Sequence, residues 1–129
     1  MKEKVLYLLL IIMLLASCAG NRKYDDLMQR ADSIMNVNDD SAKVAIRMLD
    51  GVKSQLPEFS QSQKMRYELL RHKAMNKACI TFTSDSVMKE VVDYYDNHGS
   101  ANDRMLANYV LGCVYRDMNE APLALEYYN

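Results

Sequence analysis

Residues Met105 to Tyr128 read MLANYVLGCVYRDMNEAPLALEYY. Met105, Leu106, Tyr109, Val110, Leu111, Val114, Tyr115 and Met118 recur at helical spacing and form one wide apolar stripe. Asn119 and Glu120 interrupt it. Pro122 then stands where a second helix can start, because its fixed φ suits a first turn and its missing N–H is not needed there. Leu123, Ala124, Tyr127 and Tyr128 supply that helix with an apolar face. The spacing predicts a tight antiparallel helical hairpin.

The rest of the chain agrees with an all-helical protein. It has 129 residues, 50% of them hydrophobic, with only 2 Pro and 4 Gly. So few breakers among so many Met, Leu, Ala and Lys argue for helix throughout, and the length allows one small domain. A net charge of −1 carries no basic excess for nucleic acid. Its 3 Cys come without C-x2-C or clustered His, so they form neither a disulfide framework nor a zinc pattern.

Taken in order, the periodicity predicts helices over Tyr24–Met35, Ala42 to about Ser54, and Gln61 to about Cys79. Two more are expected from Ser84 or Asp85 to about Asn97 and from Ser100 into the stretch quoted above. Asp40 or Ser41 is the expected cap of the second helix. Gln55–Ser60, with Pro57, is expected to be loop, and Gly99 a left-handed cap. Three hairpins in a row result. Their offsets are uneven: 45 residues from Asp40 to Asp85, 41 from Leu70 to Leu111 and 33 from Tyr95 to Tyr128.

The last hairpin resembles a tetratricopeptide repeat. Leu111-Gly112-x2-Tyr115 followed by Ala124-x3-Tyr128 has the family's spacing, while Asn108 stands where the family prefers Trp. Gly112 and Ala124 would let two backbones approach, with Leu111, Tyr115 and Tyr128 filling the space around them. The resemblance implies an all-α fold of stacked antiparallel hairpins, an α-solenoid with about six helices after a cleaved leader. Asn129 stops inside the second helix of the repeat, and the domain, 24–129, is expected to be the first part of a longer solenoid. The resemblance also implies a concave groove lined by first helices. Tyr109, Cys113 and Arg116 take groove-facing positions, and a protein or peptide is the expected occupant. Chaperone-type carboxylate clamps use Lys and Asn at the first two positions, which Tyr109 and Cys113 do not supply.

The N-terminus carries a different signal. Lys2 and Lys4 precede an 11-residue apolar run, Val5–Leu15, and then Leu15-Ala16-Ser17-Cys18. The run is too short to span a bilayer, which takes about 20 residues, and suits a signal-peptide core. The four residues resemble a bacterial lipobox, in which small residues admit the peptidase and the Cys thiol takes the lipid. This implies a leader over 1–17, lipidation at Cys18, a tether over 18–23, and a place in the cell envelope. Ala19 after the Cys favours the outer membrane by the sorting rule of many Gram-negative bacteria.

No arrangement of residues points to catalysis, and no cofactor, metal or small-molecule substrate is expected. His72 and His98 stand alone on the polar sides of their helices. Asp25-Asp26 and Asp39-Asp40 fit helix-start electrostatics. Cys79 and Cys113 read as small core or near-core residues, with a bridge between them left open. Five basic residues between Lys64 and Lys77 and four acids between Asp85 and Asp96 would make neighbouring helices complementary. The combined expectation is a lipid-anchored interaction scaffold without enzymatic activity. The alternative is the extracytoplasmic sensor segment of a longer signalling protein.

Overall fold

A computed structural model of the chain describes side chains for residues 1–14 and 22–129. The described residues form helices joined by short connections, with no strand among them. α1 spans Lys2–Met35, α2 Asp39–Asp50, α3 Gln61–Lys77, α4 Ser86–His98, α5 Ala101–Asp117 and α6 Ala121–Tyr128, with a 3-10 helix over Lys53–Glu58. The count of helical segments therefore differs from the expected six. The segment around Pro57, expected as loop, is the 3-10 helix. The helix expected over Tyr24–Met35 is the last part of a 34-residue α1.

α1 has two chemically distinct halves. Val5 to Leu14 are exposed on all sides, whereas Tyr24, Met28, Ala31 and Met35 form a buried stripe spaced by three or four. That stripe packs on Ala42, Ala45 and Leu49 of α2 and on Tyr67, Leu70 and Ala74 of α3, one core cluster closed by Phe59 and Val52. A second cluster joins Met65 and Leu69 of α3 to Met88, Val91, Val92 and Tyr95 of α4 and to Ala107, Val110, Leu111 and Val114 of α5. α3 is shared by both clusters, which explains its apolar residues on two opposite sides.

The helix ends show where local chemistry differs from the expected reading. α2 is capped by Asn38: its extended backbone lets Oδ1 accept from the Ser41 amide at 2.9 Å and from the Ser41 hydroxyl at 2.8 Å. Asp39 and Asp40 fall in the first turn instead. α2 stops at Asp50, before the expected Ser54, because the chain tightens into the 3-10 segment after Gly51. Gly99 is extended at φ −95°, so it is not a left-handed cap. The left-handed residues are Cys79 at φ 57° and Asn119 at φ 61°.

These caps make α3 and α5 alike. Each has 17 residues and begins with a capping box, Ser60 with Gln63 and Ser100 with Asp103. Each ends with a left-handed residue, after which an amide donates back to a helix carbonyl: Ile80 to Met75 at 3.0 Å, Glu120 to Tyr115 at 2.8 Å. The register set by caps and ends is 40 residues, one less than the 41 expected from Leu70 and Leu111.

Charge is distributed differently from the expectation. The basic residues of α3 pair backwards, onto the first hairpin: Lys73 with Asp32 at 2.8 Å and Arg71 with Asp50 at 3.0 Å. Among the described residues no ion pair links α3 to α4. Burial raises the Glu68 pKa, and the acidic Glu90 of α4 adds a smaller push in the same direction.

Candidate interaction site

The α5–α6 hairpin brings Leu111, Gly112, Tyr115, Ala124 and Tyr128 together. Leu111, Gly112, Tyr115 and Ala124 are buried, and the Tyr128 ring lies directly on Gly112. Tyr115 donates to Asp85 Oδ2 at 3.0 Å, tying α5 to the start of α4. Burial and that carboxylate push its phenol up to about 12. The Tyr128 hydroxyl points to Cys113 Sγ at 3.7 Å. Burial first, then this contact, pushes it up to about 12 as well.

The three residues expected to face a partner are placed unequally. Tyr109 is half exposed, and its ring leans on Tyr128 with centroids 5.8 Å apart. Arg116 is exposed but held: its guanidinium donates to Asp117 at 2.8 Å and to Asn76 of α3 at 3.1 Å. Cys113 is fully buried beneath Tyr128, so its thiol is not on a surface. Cys113 and Cys79 are both free thiols, and Cys79 is exposed at the end of α3. Cys18, the expected lipid site, lies outside the described residues.

Between α5 and α6 lies an open cleft of about 590 Å³, lined by Met105, Leu106, Asn108, Tyr109, Tyr127 and Tyr128 among others. Met105 belongs to the apolar stripe by its spacing, but it is exposed. Helical spacing gives a stripe its direction and cannot say how much of it a neighbour covers.

Two residues off this surface also differ from the expectation. His72 is buried, not on a polar side. Its ring stacks on Phe82 at 5.6 Å between centroids, and Nδ1–H donates to the Glu68 carbonyl at 2.7 Å. Burial lowers its pKa. Phe82 belongs to the segment expected as a simple break, yet it is buried, and its amide donates to Asp117 Oδ2 at 3.1 Å. A lone apolar residue among hydroxyl residues was the available signal. Among the described residues no group of three or more His, Cys, Asp or Glu could hold a metal ion.

Among the described residues no helix is long and apolar enough to cross a membrane. Compared with protein-family models, curated proteins and solved structures, the chain matches none.

Proposed function

We propose that this chain is a lipid-anchored helical-repeat scaffold that binds another polypeptide through α5 and the edge of α6. The observation that carries the reading is the repetition of α3 in α5. Length, capping box, left-handed terminator and register recur in the two helices. Repetition of one helical unit is how a solenoid is built. Tyr109 and Arg116 are the residues expected to bear most of the binding, since Tyr and Arg join large contact area to a hydrogen-bonding end. Arg116 is already oriented by Asp117 and Asn76, which lowers the entropy lost on binding. The anchor follows from Leu15-Ala16-Ser17-Cys18 after the apolar run.

The test has two arms. Intact mass of the membrane fraction should give a chain beginning at acylated Cys18. Equal membrane retention of Cys18→Ala would remove the anchor from the proposal. Affinity capture should then compare the wild type with Tyr109→Ala plus Arg116→Ala, once circular dichroism shows both folded. Loss of a true hot spot costs about 2 kcal/mol or more, roughly thirtyfold in affinity. Recovery of the same partners in the same amounts would remove the interaction surface.

A further inference from the structure

A cavity of about 280 Å³ lies among α1, α3, α4 and α5, distinct from the cleft between α5 and α6. Asp32 of α1, Arg66 of α3, Tyr94, Tyr95 and His98 of α4 and Asp103 of α5 are among the residues that line it. Their hydrogen-bonding groups are unevenly used. Asp32 Oδ1 takes the Lys73 ammonium at 2.8 Å. Asp103 Oδ2 accepts from the Ser100 amide at 3.2 Å and from the Ser100 hydroxyl at 2.8 Å. His98 Nδ1–H donates to the Tyr94 carbonyl at 3.0 Å. Two donors are left over. Among the described residues the Arg66 guanidinium makes no hydrogen bond or ion pair, and the Tyr95 hydroxyl makes no hydrogen bond.

The Tyr95 hydroxyl is the telling group. The residue is only 8% exposed, with its ring in the second core cluster and edge-on to Tyr94 at 5.2 Å between centroids. Buried hydroxyls normally have a partner, because desolvating one without a hydrogen bond is costly. This one has no partner in the chain and belongs to the cavity wall. Burial first, then Asp103, pushes its phenol up to about 12 against an opposing effect of Arg66, so the hydroxyl keeps its proton and can donate.

A surplus of donors calls for an acceptor. Arg66 supplies a planar fork with a single positive charge, which matches the two oxygens of one carboxylate. Asp32 and Asp103 are already engaged by Lys73 and Ser100, and their charges oppose a multiply charged anion. Tyr94 and His98 stack at 4.5 Å between centroids, 5° from parallel, and give the cavity an aromatic wall for a carbon skeleton. Clefts that enclose drug-sized ligands run upward from about 300 Å³, so this volume suits a small acid or one acidic side chain.

We propose that this cavity binds one organic carboxylate, gripped by the Arg66 guanidinium and the Tyr95 hydroxyl. A free organic acid and a glutamate side chain of a bound polypeptide carry the same group. The site is independent of the α5–α6 surface and goes beyond the scaffold reading.

The experiment is an NMR titration of the full chain in detergent micelles at constant ionic strength, following the backbone amides of His98 and Asp103. The probes are benzoate, for a free acid, and N-acetylglutamate N-methylamide, for a side chain, with sodium chloride as the control. At least one probe should shift these amides saturably, and chloride should not. Tyr95→Phe and Arg66→Gln should each weaken that probe roughly tenfold or more, with the remaining amide spectrum unchanged. Saturation by benzoate alone assigns a free acid, and by the glutamate probe alone a polypeptide side chain. Saturation by both shows that the group is recognised and not its carrier. No saturable shift from either probe, an equal shift from chloride, or affinities unchanged in both variants would overturn the site.

Discussion

The Tyr128 ring occupies the space that a side chain on Gly112 would need. A Cβ at position 112 would lie 2.6 Å from Cε1 and 2.7 Å from Cδ1 of that ring. Gly112 is therefore required by a contact 16 residues away and not by its own backbone, which is ordinary helix inside α5. The half-exposed Tyr128 can swing outward, so the conflict can be relieved at the cost of that contact.

This gives opposite signs for one substitution in two backgrounds. With Tyr128 present, Gly112→Ala should lower stability by about 1 kcal/mol, because overpacking displaces the ring. In a Tyr128→Ala background the clash is gone, and the same change should raise stability by about 0.5–1 kcal/mol through helix propensity. Urea titration of the four species closes the cycle. Equal effects in the two backgrounds would mean that the contact does not constrain position 112. Gly112→Leu should be worse than Ala in the wild-type background, since no room exists for the added atoms.

The cap of α2 gives a second prediction. Asn38→Ala should cost about 1 kcal/mol, because the Ser41 amide loses its acceptor at a helix start. Asp40→Ala removes only an exposed first-turn charge and should cost about 0.3–0.5 kcal/mol. Thermal melts of the two variants rank them. The reverse order would restore Asp40 as the cap.

Tyr67 gives a third. Its side chain is fully buried, and its hydroxyl donates to the Leu49 carbonyl at 3.0 Å, near the end of α2. Tyr67→Phe keeps the packing and removes this buried hydrogen bond, while the carbonyl keeps the Val52 amide at 3.2 Å, at a cost of about 1 kcal/mol. Chemical denaturation should show the loss as a lower midpoint with an unchanged slope.

His72 and Glu68 both contribute to the pH dependence of stability, and they act in opposite directions. Burial lowers the His72 pKa below its ordinary 6.5, so the folded state favours the neutral ring. That stability is present above pH 6.5 and is lost as pH falls through the lowered value. Burial raises the Glu68 pKa above its ordinary 4.5. Its stabilising effect is present below pH 4.5 and is lost as pH rises through the raised value. His72→Phe should therefore make the protein less sensitive to acidification just below pH 6.5. Glu68→Gln should flatten the dependence just above pH 4.5. Melting temperature against pH for each variant separates the two windows, and a His72→Phe curve parallel to the wild type would contradict the first.

Much of this molecule follows from local pattern alone. Helical class follows from composition and apolar period, since both are properties of short segments. The α5–α6 hairpin was legible from Pro122 and the apolar spacing on either side of Asn119 and Glu120. The start of α5 at Ser100 was legible for the same reason, as the cap acts over three residues. Leu15-Ala16-Ser17-Cys18 and the apolar run before it are likewise read residue by residue, and their resemblance to a lipobox is an expectation from sequence.

Tertiary structure decided whatever depends on a neighbour. His72 and Phe82 are buried because helices from other parts of the chain meet over them, and nothing in their flanking residues encodes that meeting. Lys73 and Arg71 pair with Asp32 and Asp50 because α3 lies against the first hairpin, although Asp85 to Asp96 are nearer in sequence. Met105 and Tyr109 have the same helical phase as the buried Met65 and Leu69, so periodicity assigns both pairs to a packed face. One pair is covered and the other open because burial is a property of two surfaces, and a stripe in sequence specifies only one of them.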